Sequence, residues 1–497
     1  KVLNNGIVMR DASGIGADHV NDIDMNNIQQ IEVIRGPASL LYANGTIGGI
    51  VNIVDQTIAK KDFLESIFKV GLEAQSVNDG DAHDLSYENN VGGLNISLGY
   101  KKSEFGNFDI PYGSVLHSDE EHDDDHHEEE VDHGDEEYND EDHEKDLGYL
   151  PNSDFESTSK RLGISKTGNW GYFGVSVNKI ESVYGIPFHG DNHGDEHGDE
   201  HVGERIFSTT ESDILNFEGT FIIGNDWLRQ IDYHVRDTDY SLTEQHAEEE
   251  EHEGDEHEGE EHDEEAPAVF QNAAKEYGAT FDFSNDTLTQ KVAINFVDEG
   301  MSIIGSEAFM NPSKSEELTL GYFASKDFDV ARLDFGIRFD QINRVGSLSH
   351  TDEHGDEHED EHGEEHGDDL EAEVDMFDQD LNTTSFAFNL SSEINESLNV
   401  SMGYAQVERA PSVVELYMNG PHLATGKFEV GNTQLDVEKS NNIDVTFSYQ
   451  QDGFFGALTL FKNDVKNYIY LMDETEEAHD EHDEHDEHDE HDEHDDE

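Results

Sequence analysis

A chain of 497 residues with a formal net charge of −90, 34% hydrophobic residues and no cysteine excludes several classes of protein at once. So strong a negative charge repels phosphate backbones, which rules out nucleic acid as a partner and points to cations. Without thiols there are neither disulfide staples nor thiolate metal sites, and no apolar run reaches the roughly 18 residues of a transmembrane helix, which leaves a soluble chain or a β-barrel.

The charge is concentrated in five segments, 117–146, 189–204, 244–265, 350–375 and 473–497, which hold 25 of the 29 histidines and 69 of the 118 acidic residues. The remainder carries far less charge and is the part able to fold. The chain opens at Lys1 without a charged and then apolar leader, so a signal peptide is expected to have been removed or to lie outside this sequence.

In chain order, residues 1–60 form a compact, glycine-punctuated α/β piece. Ile31 to Ile34 reads as a strand, Gly36-Pro37 as a turn, Ala38 to Tyr42 as a helical turn, and Ile50 to Val54 as a second strand after Gly45, Gly48 and Gly49. From Leu64 onward, period-two alternation takes over. Leu94, Ile96, Leu98 and Tyr100 interleave with Asn95, Ser97 and Gly99; Leu333, Phe335, Ile337 and Phe339 interleave with Asp334, Gly336, Arg338 and Asp340; Ile443 to Tyr449 repeats the pattern. About fifteen such strands are expected, of the length a tilted membrane-crossing strand needs. Short turns such as Gly168-Asn169, Asn225-Asp226, Asp327 and Asp452-Gly453 alternate with long polar excursions, so one rim is short and the other long. Alternation alone fits a soluble β-sandwich equally well. The polar, glycine-rich second face favours a barrel, because a plugged or water-filled lumen accepts polar side chains and a sandwich core does not.

The stretch IEVIRGPASLLYANGTIGGIVNIV, Ile31 to Val54, resembles the plug signature of TonB-dependent outer-membrane receptors. A second segment, ERAPSVVELYMNGPHLATGKFEVGN, Glu408 to Asn432, resembles a mid-barrel extracellular segment of the same family, closest to the zinc-uptake receptors with His-rich loops. The resemblance implies an all-β transmembrane barrel with an N-terminal α/β plug, residues 1–60 being the C-terminal part of the plug and 61–497 an incomplete barrel. Barrels of this kind have about 22 strands, so the chain reads as a fragment truncated at both ends, without the partner-binding box and the last strands. It further implies residence in the outer membrane of a Gram-negative bacterium, contact with outer-membrane lipids, energy coupling through the periplasmic protein TonB with its inner-membrane complex, and no catalytic step.

The five acidic segments fall among the long, extracellular set of loops. Histidine recurs in them with Asp and Glu between, as at His193, His197 and His201, at His354, His358 and His362, and at His482, His485 and His488. Imidazole nitrogen with carboxylate oxygen suits zinc and other divalent transition metals, and intervening glycines argue against helices that would fix the spacing. These loops are expected to be disordered, low-affinity collectors. A solvated polyanion that binds Ca²⁺ or Mg²⁺ is the plainer alternative, but it needs carboxylates alone and leaves the histidines unexplained.

Four histidines lie outside the tracts: His19, His83, His234 and His422. His83, placed between strands, and His234, within one, read as structural. His19 follows Asp18 in a glycine-containing plug loop, and His422 lies between turn formers in NGPHLATG. By resemblance to the zinc receptors, a plug Asp-His pair meets barrel-loop Glu and His residues above the plug, which points to Asp18, His19, Glu307 and His422 as ligands. The expected function is import of a divalent transition metal, zinc first, as the transported ligand. A haem or iron-chelate receptor on the same scaffold is the nearest alternative, since Arg409 to Pro411 with a following His422 also occurs in haem receptors; Glu408 in place of an aromatic and GNTQL in place of an Asn-Pro-Asn-Leu motif depart from that pattern. A surface metal-buffering protein that does not transport is the third reading, and it has no use for a plug.

Overall fold

Strand follows strand because β-branched and aromatic residues recur at every second position between turn formers, which suits a pleated, half-buried surface. The computed structural model describes residues 1–12, 19, 23, 28–111, 114, 148–187, 206–246, 267–305, 308–350, 373–422 and 427–472. A small mixed sheet comes first, built of β1 (Val2–Asn4), β2 (Ile7–Val8), β3 (Ile28–Ile34) and β4 (Ile50–Asp55) in the order β2-β1-β4-β3. A 3-10 helix, Gly36–Leu41, with proline in its first turn, follows β3. Leu3, Ala43 and Ile50 form the core of this unit.

Fifteen further strands form one antiparallel meander. They are β5 (Ile67–Gln75), β6 (Gly80–Val91), β7 (Leu94–Phe105), β8 (Phe155–Gly168), β9 (Gly171–Gly185), β10 (Ile206–Ile222), β11 (Gln230–His246), β12 (Ala268–Asp282), β13 (Thr289–Ile304), β14 (Ser313–Asp327), β15 (Arg332–His350), β16 (Glu373–Asn395), β17 (Leu398–Arg409), β20 (Glu438–Gln451) and β21 (Phe454–Lys466). Between β17 and β20 stand a short helix, α1 (Val413–Tyr417), and a separate hairpin, β18 (Asn419–His422) with β19 (Lys427–Val430). Among the described residues the end strands β5 and β21 do not pair with each other. No helix among the described residues is long and apolar enough to cross a membrane, which leaves open crossing by strands.

The two faces of the meander are inverted relative to a water-soluble sheet. Phe217, Val235, Tyr277, Phe296 and Leu318 are direct cross-strand partners on five successive strands, and all five are exposed. One residue along, Asn216, Arg236, Glu276, Val297 and Glu317 form the matching row, and all five are buried. An apolar exterior over a polar interior is what lipid outside and a plugged lumen inside require. The first unit fills the inward side through polar contacts: Arg236 donates to Asn4 Oδ1 at 3.0 Å, Asn44 Nδ2 to Glu317 Oε2 at 3.0 Å, and Arg338 to the Leu40 carbonyl at 3.2 Å. Gly336 faces Pro37 of the 3-10 helix so closely that a Cβ there would meet the Pro37 carbonyl oxygen, so the wall must be bare backbone at that point.

Three segment borders need correction. Glu244 to His246 belong to β11, His350 ends β15, and Glu373 to Asp375 open β16, so the acidic tracts begin or end inside strands. Strand alternation continues into these residues while their composition already matches the tracts. His83 lies within β6 and not between strands.

Arginine at position 296, in the exterior belt, is expected to cost about 2–4 kcal/mol if that row lies near the bilayer midplane. Urea-driven unfolding of the protein carrying Phe296→Arg from lipid vesicles measures it; an unchanged midpoint would place the belt in water.

Candidate metal centre

The densest gathering of metal-binding atoms lies where the first unit, β11 and the β18–β19 hairpin meet. His19, Glu244 and His422 each offer one ligand atom there, all within 4.8 Å of one another, and all three residues are buried. His19 comes from the first unit, and its Nδ1 donates to the Ala12 carbonyl at 2.9 Å. A carbonyl can only accept, so Nε2 is turned toward Glu244 Oε1, 2.9 Å away. Glu244 reaches inward because Tyr240, Leu242 and Glu244 share one face of β11, all three fully or almost fully buried.

His422 is fixed from the other side. Its Nδ1 donates to Glu429 Oε1 at 3.0 Å across the hairpin, which leaves Nε2 as its coordinating nitrogen. The hairpin is itself well anchored. Ser412 and Glu415 form a capping box at the start of α1, Asn419 N donates to the Phe309 carbonyl at 2.6 Å, and Gly431 N to Met418 O at 2.7 Å. Gly420 passes so near Phe309 that a Cβ would lie 2.8 Å from its Cα. Arg409, bonded to both Glu415 and Glu438, ties α1 to the barrel wall.

The surroundings are dry. Phe270 and Phe309 stand against the imidazoles, with ring centroids 5.0 Å from His19 and 4.6 Å from His422, and Tyr240, Leu242, Met310, Leu416 and Met418 continue the apolar shell. Two carboxylates, the buried Glu244 and the partly buried Glu429, thereby stand beside two imidazoles. Glu244 Oε2 has no hydrogen-bond partner among the described residues. Orphaned buried oxygen is costly, and a divalent cation bound by Nε2 of each histidine and by Glu244 would satisfy it and neutralise the pair. Two nitrogens and a carboxylate oxygen are a donor set for a divalent transition metal, with room in a four-ligand shell for one more group.

Of the expected ligands, His19 and His422 are brought together, while Asp18 and Glu307 lie outside the described residues. So do the loop histidines His193, His197, His201, His354, His358, His362, His482, His485 and His488. His234 sits in β11 facing inward, 3.6 Å from Glu276, and His83 is half exposed beside Asp81. Glu244 and Glu429 were not foreseen. Continuing the alternation of Tyr240 and Leu242 by one step would have found Glu244; Glu429 has no sequence signal beyond its place in the same segment as His422.

The sequence matches two families: the barrel family described as TonB dependent receptor-like, beta-barrel, over residues 137–477, and the TonB-dependent Receptor Plug Domain over residues 1–50. Similar curated proteins include the ferrienterobactin receptor of Escherichia coli (strain K12), 31% identical over 97 residues, covering 18% of this chain and 13% of that protein. Another is a probable hemoglobin and hemoglobin-haptoglobin-binding protein 1 of Haemophilus influenzae, 31% identical over 91 residues, covering 18% of this chain and 8% of that protein. Among solved structures, the fold is similar to the copper transporter OprC, with a TM-score of 0.63 at 12% identity, covering 93% of this chain and 63% of that one. The hemophore receptor HasR of Serratia marcescens gives a TM-score of 0.63 at 12% identity, covering 90% of this chain and 62% of that one. The chain therefore spans under two thirds of the proteins it resembles.

Because the carboxylate on Nδ1 sets the orientation and basicity of His422, Glu429→Gln in the full-length receptor is expected to weaken Zn²⁺ binding at this centre by about 10–100-fold. Competition titration against a chelator of known affinity reads it, and equal affinity in the variant would remove Glu429 from the site.

Proposed function

The chain belongs to the TonB-dependent receptor family, whose members are transport receptors of the Gram-negative outer membrane, and from that premise we propose that it imports a divalent transition metal, zinc first. We assign residues 1–60 to the plug and 61–497 to the barrel. The observation that carries the reading is the buried trio of His19, Glu244 and His422 at the junction of plug and barrel. Asp18 and Glu307 remain the candidates for the open coordination position.

Capture and import divide between two kinds of ligand. The acidic, histidine-rich tracts gather cations weakly and exchange them quickly, which raises the local concentration at the mouth. The buried centre then selects, since its donors are fixed before the ion arrives and no water competes inside the aromatic shell. Passage follows when TonB, with its inner-membrane complex, displaces the plug. His19 is on the plug and His422 and Glu244 are on the barrel, so plug movement necessarily breaks the donor set and lowers affinity at the moment of release.

The named relatives keep a haem or iron-chelate cargo as the second reading, and one is a copper transporter. Ligand atoms within 4.8 Å of one another, closed over by Phe270 and Phe309, favour a bare ion over a macrocycle or a siderophore. Imidazole and carboxylate also serve copper, so copper is the competitor to include in any titration.

Zinc titration of the full-length receptor should show one site much tighter than the loop background, and the double substitution His19→Ala with His422→Ala should abolish it while loop binding persists. Loop-type binding alone in the wild type would favour buffering, and a haem absorbance shift lost with His422→Ala would favour the second reading. Metal must displace protons from imidazole, so affinity is expected to fall as pH is lowered. A pH-independent affinity would mean that histidine is not a ligand.

A further inference from the structure

Next to the metal centre, three plug residues link it to a second set of oxygen donors. Ala12 holds His19 through its carbonyl, and Arg10, two residues earlier, drives its guanidinium into the barrel wall. There Arg10 Nη1 donates to Glu299 Oε2 at 2.8 Å, and Nη2 lies 3.8 Å from Glu276 Oε2. The two glutamates come from neighbouring strands, β13 and β12, and face inward two positions apart in the register, since Glu299 is opposite Ala274.

The wall around them is built for a cation beyond what Arg10 satisfies. Asn272, buried at 3% exposure, donates from Nδ2 to Glu299 Oε1 at 3.0 Å, yet its own Oδ1 accepts no hydrogen bond among the described residues. Glu276 Oε2 likewise has no hydrogen-bond partner there, and the arginine approaches it only at ion-pair distance. Glu276 Oε1 accepts from Asn295 at 2.9 Å, with His234 Nε2 at 3.6 Å beyond it. Burial opposes the charge on Arg10, but Glu299 and Glu276 outweigh it and hold the guanidinium's pKa above its ordinary value, so a fixed positive charge occupies this place.

We propose that Glu276, Glu299 and Asn272 form a second, oxygen-donor site for the divalent cation in transit, held shut by the Arg10 guanidinium until the Arg10 to Ala12 segment moves. The arrangement rests on the reading that His19, Glu244 and His422 take the cation first. One motion then has two effects. Withdrawing the segment removes the Ala12 carbonyl that orients His19, which loosens the first site, and it extracts Arg10, which leaves two buried carboxylates and an amide oxygen in need of a positive charge. The ion replaces the arginine in the same electrostatic role, and the lumen is never left with uncompensated charge.

The test uses Mn²⁺, a probe suited to oxygen donors, with the full-length receptor purified from outer membranes and bound metal counted against the constant loop background. Arg10→Gln is expected to bind about one Mn²⁺ per chain more than the wild type. Arg10→Lys, which keeps the charge, should bind no more than the wild type, and Arg10→Gln combined with Glu299→Gln should lose the gain. If Arg10→Gln is recovered unfolded, refolding in Mn²⁺ should rescue it, because the ion supplies the missing charge; failure of rescue overturns the site. A gain that survives Glu299→Gln overturns it as well. Zinc binding lost with His19→Ala and His422→Ala, together with no Mn²⁺ gain in Arg10→Gln, removes the second site alone. Absence of zinc binding at His19 and His422 in the wild type removes the underlying reading instead.

Discussion

Carboxylates removed from water must be met by cations, and the interior of this barrel is arranged around that constraint. Glu317 is met by Arg344 at 2.7 Å, Glu299 by Arg10 at 2.8 Å, Asp340 by Arg338 at 2.8 Å and Glu438 by Arg409 at 2.7 Å. Glu244 and Glu429 differ: what faces them at hydrogen-bond distance is imidazole, whose charge is conditional. Where imidazole stands in place of a permanent cation, as around Glu244, an external cation has a place to fit. The junction is also where the plug meets the β18–β19 hairpin.

The same constraint explains why the plug stays seated. Its contacts with the wall include hydrogen bonds and ion pairs, such as Arg236 to Asn4, Asn44 to Glu317 and Arg10 to Glu299. Such contacts exchange readily for water once the seam is wetted, so a pulling force need not expose a hydrophobic core. By contrast, α1 is held by a packed cluster that includes Val413, Val414, Leu416, Tyr417 and Met418. The barrel side of the metal centre is therefore the more extensively packed half.

Much of this was legible in the sequence, because period-two alternation is a local property that survives without tertiary information. Leu94 to Tyr100 and Leu333 to Phe339 fall in β7 and β15, and the glycine-punctuated start folds as the small mixed sheet with its 3-10 helix. Site residues were harder. His19 and His422 stood out as two of the four histidines outside the tracts, each in a loop with turn formers, yet nothing local says that the two rings come to rest 6.0 Å apart. Glu244 was hidden by composition: it looks like the first acid of a solvated tract, and only its inward register on β11 makes it a ligand candidate. Arg10 was hidden for the opposite reason, since a single arginine in a plug loop has no meaning until Glu276 and Glu299 are placed opposite it.

Donor chemistry gives the proposed route a direction. The tracts offer mixed imidazole and carboxylate, the buried centre offers two imidazoles and a carboxylate held in place, and the wall beyond offers oxygen alone. Affinity for a transition metal rises from the first to the second and falls again at the third, because nitrogen donors favour such ions more than carboxylate and amide oxygen do. An ion released from the centre into an oxygen site is bound strongly enough to be retained in the lumen and weakly enough to leave it. A second histidine-rich centre in that position would trap the cargo. His234, one step back from the glutamates at 3.6 Å from Glu276, is thus best understood as an electrostatic neighbour of that carboxylate.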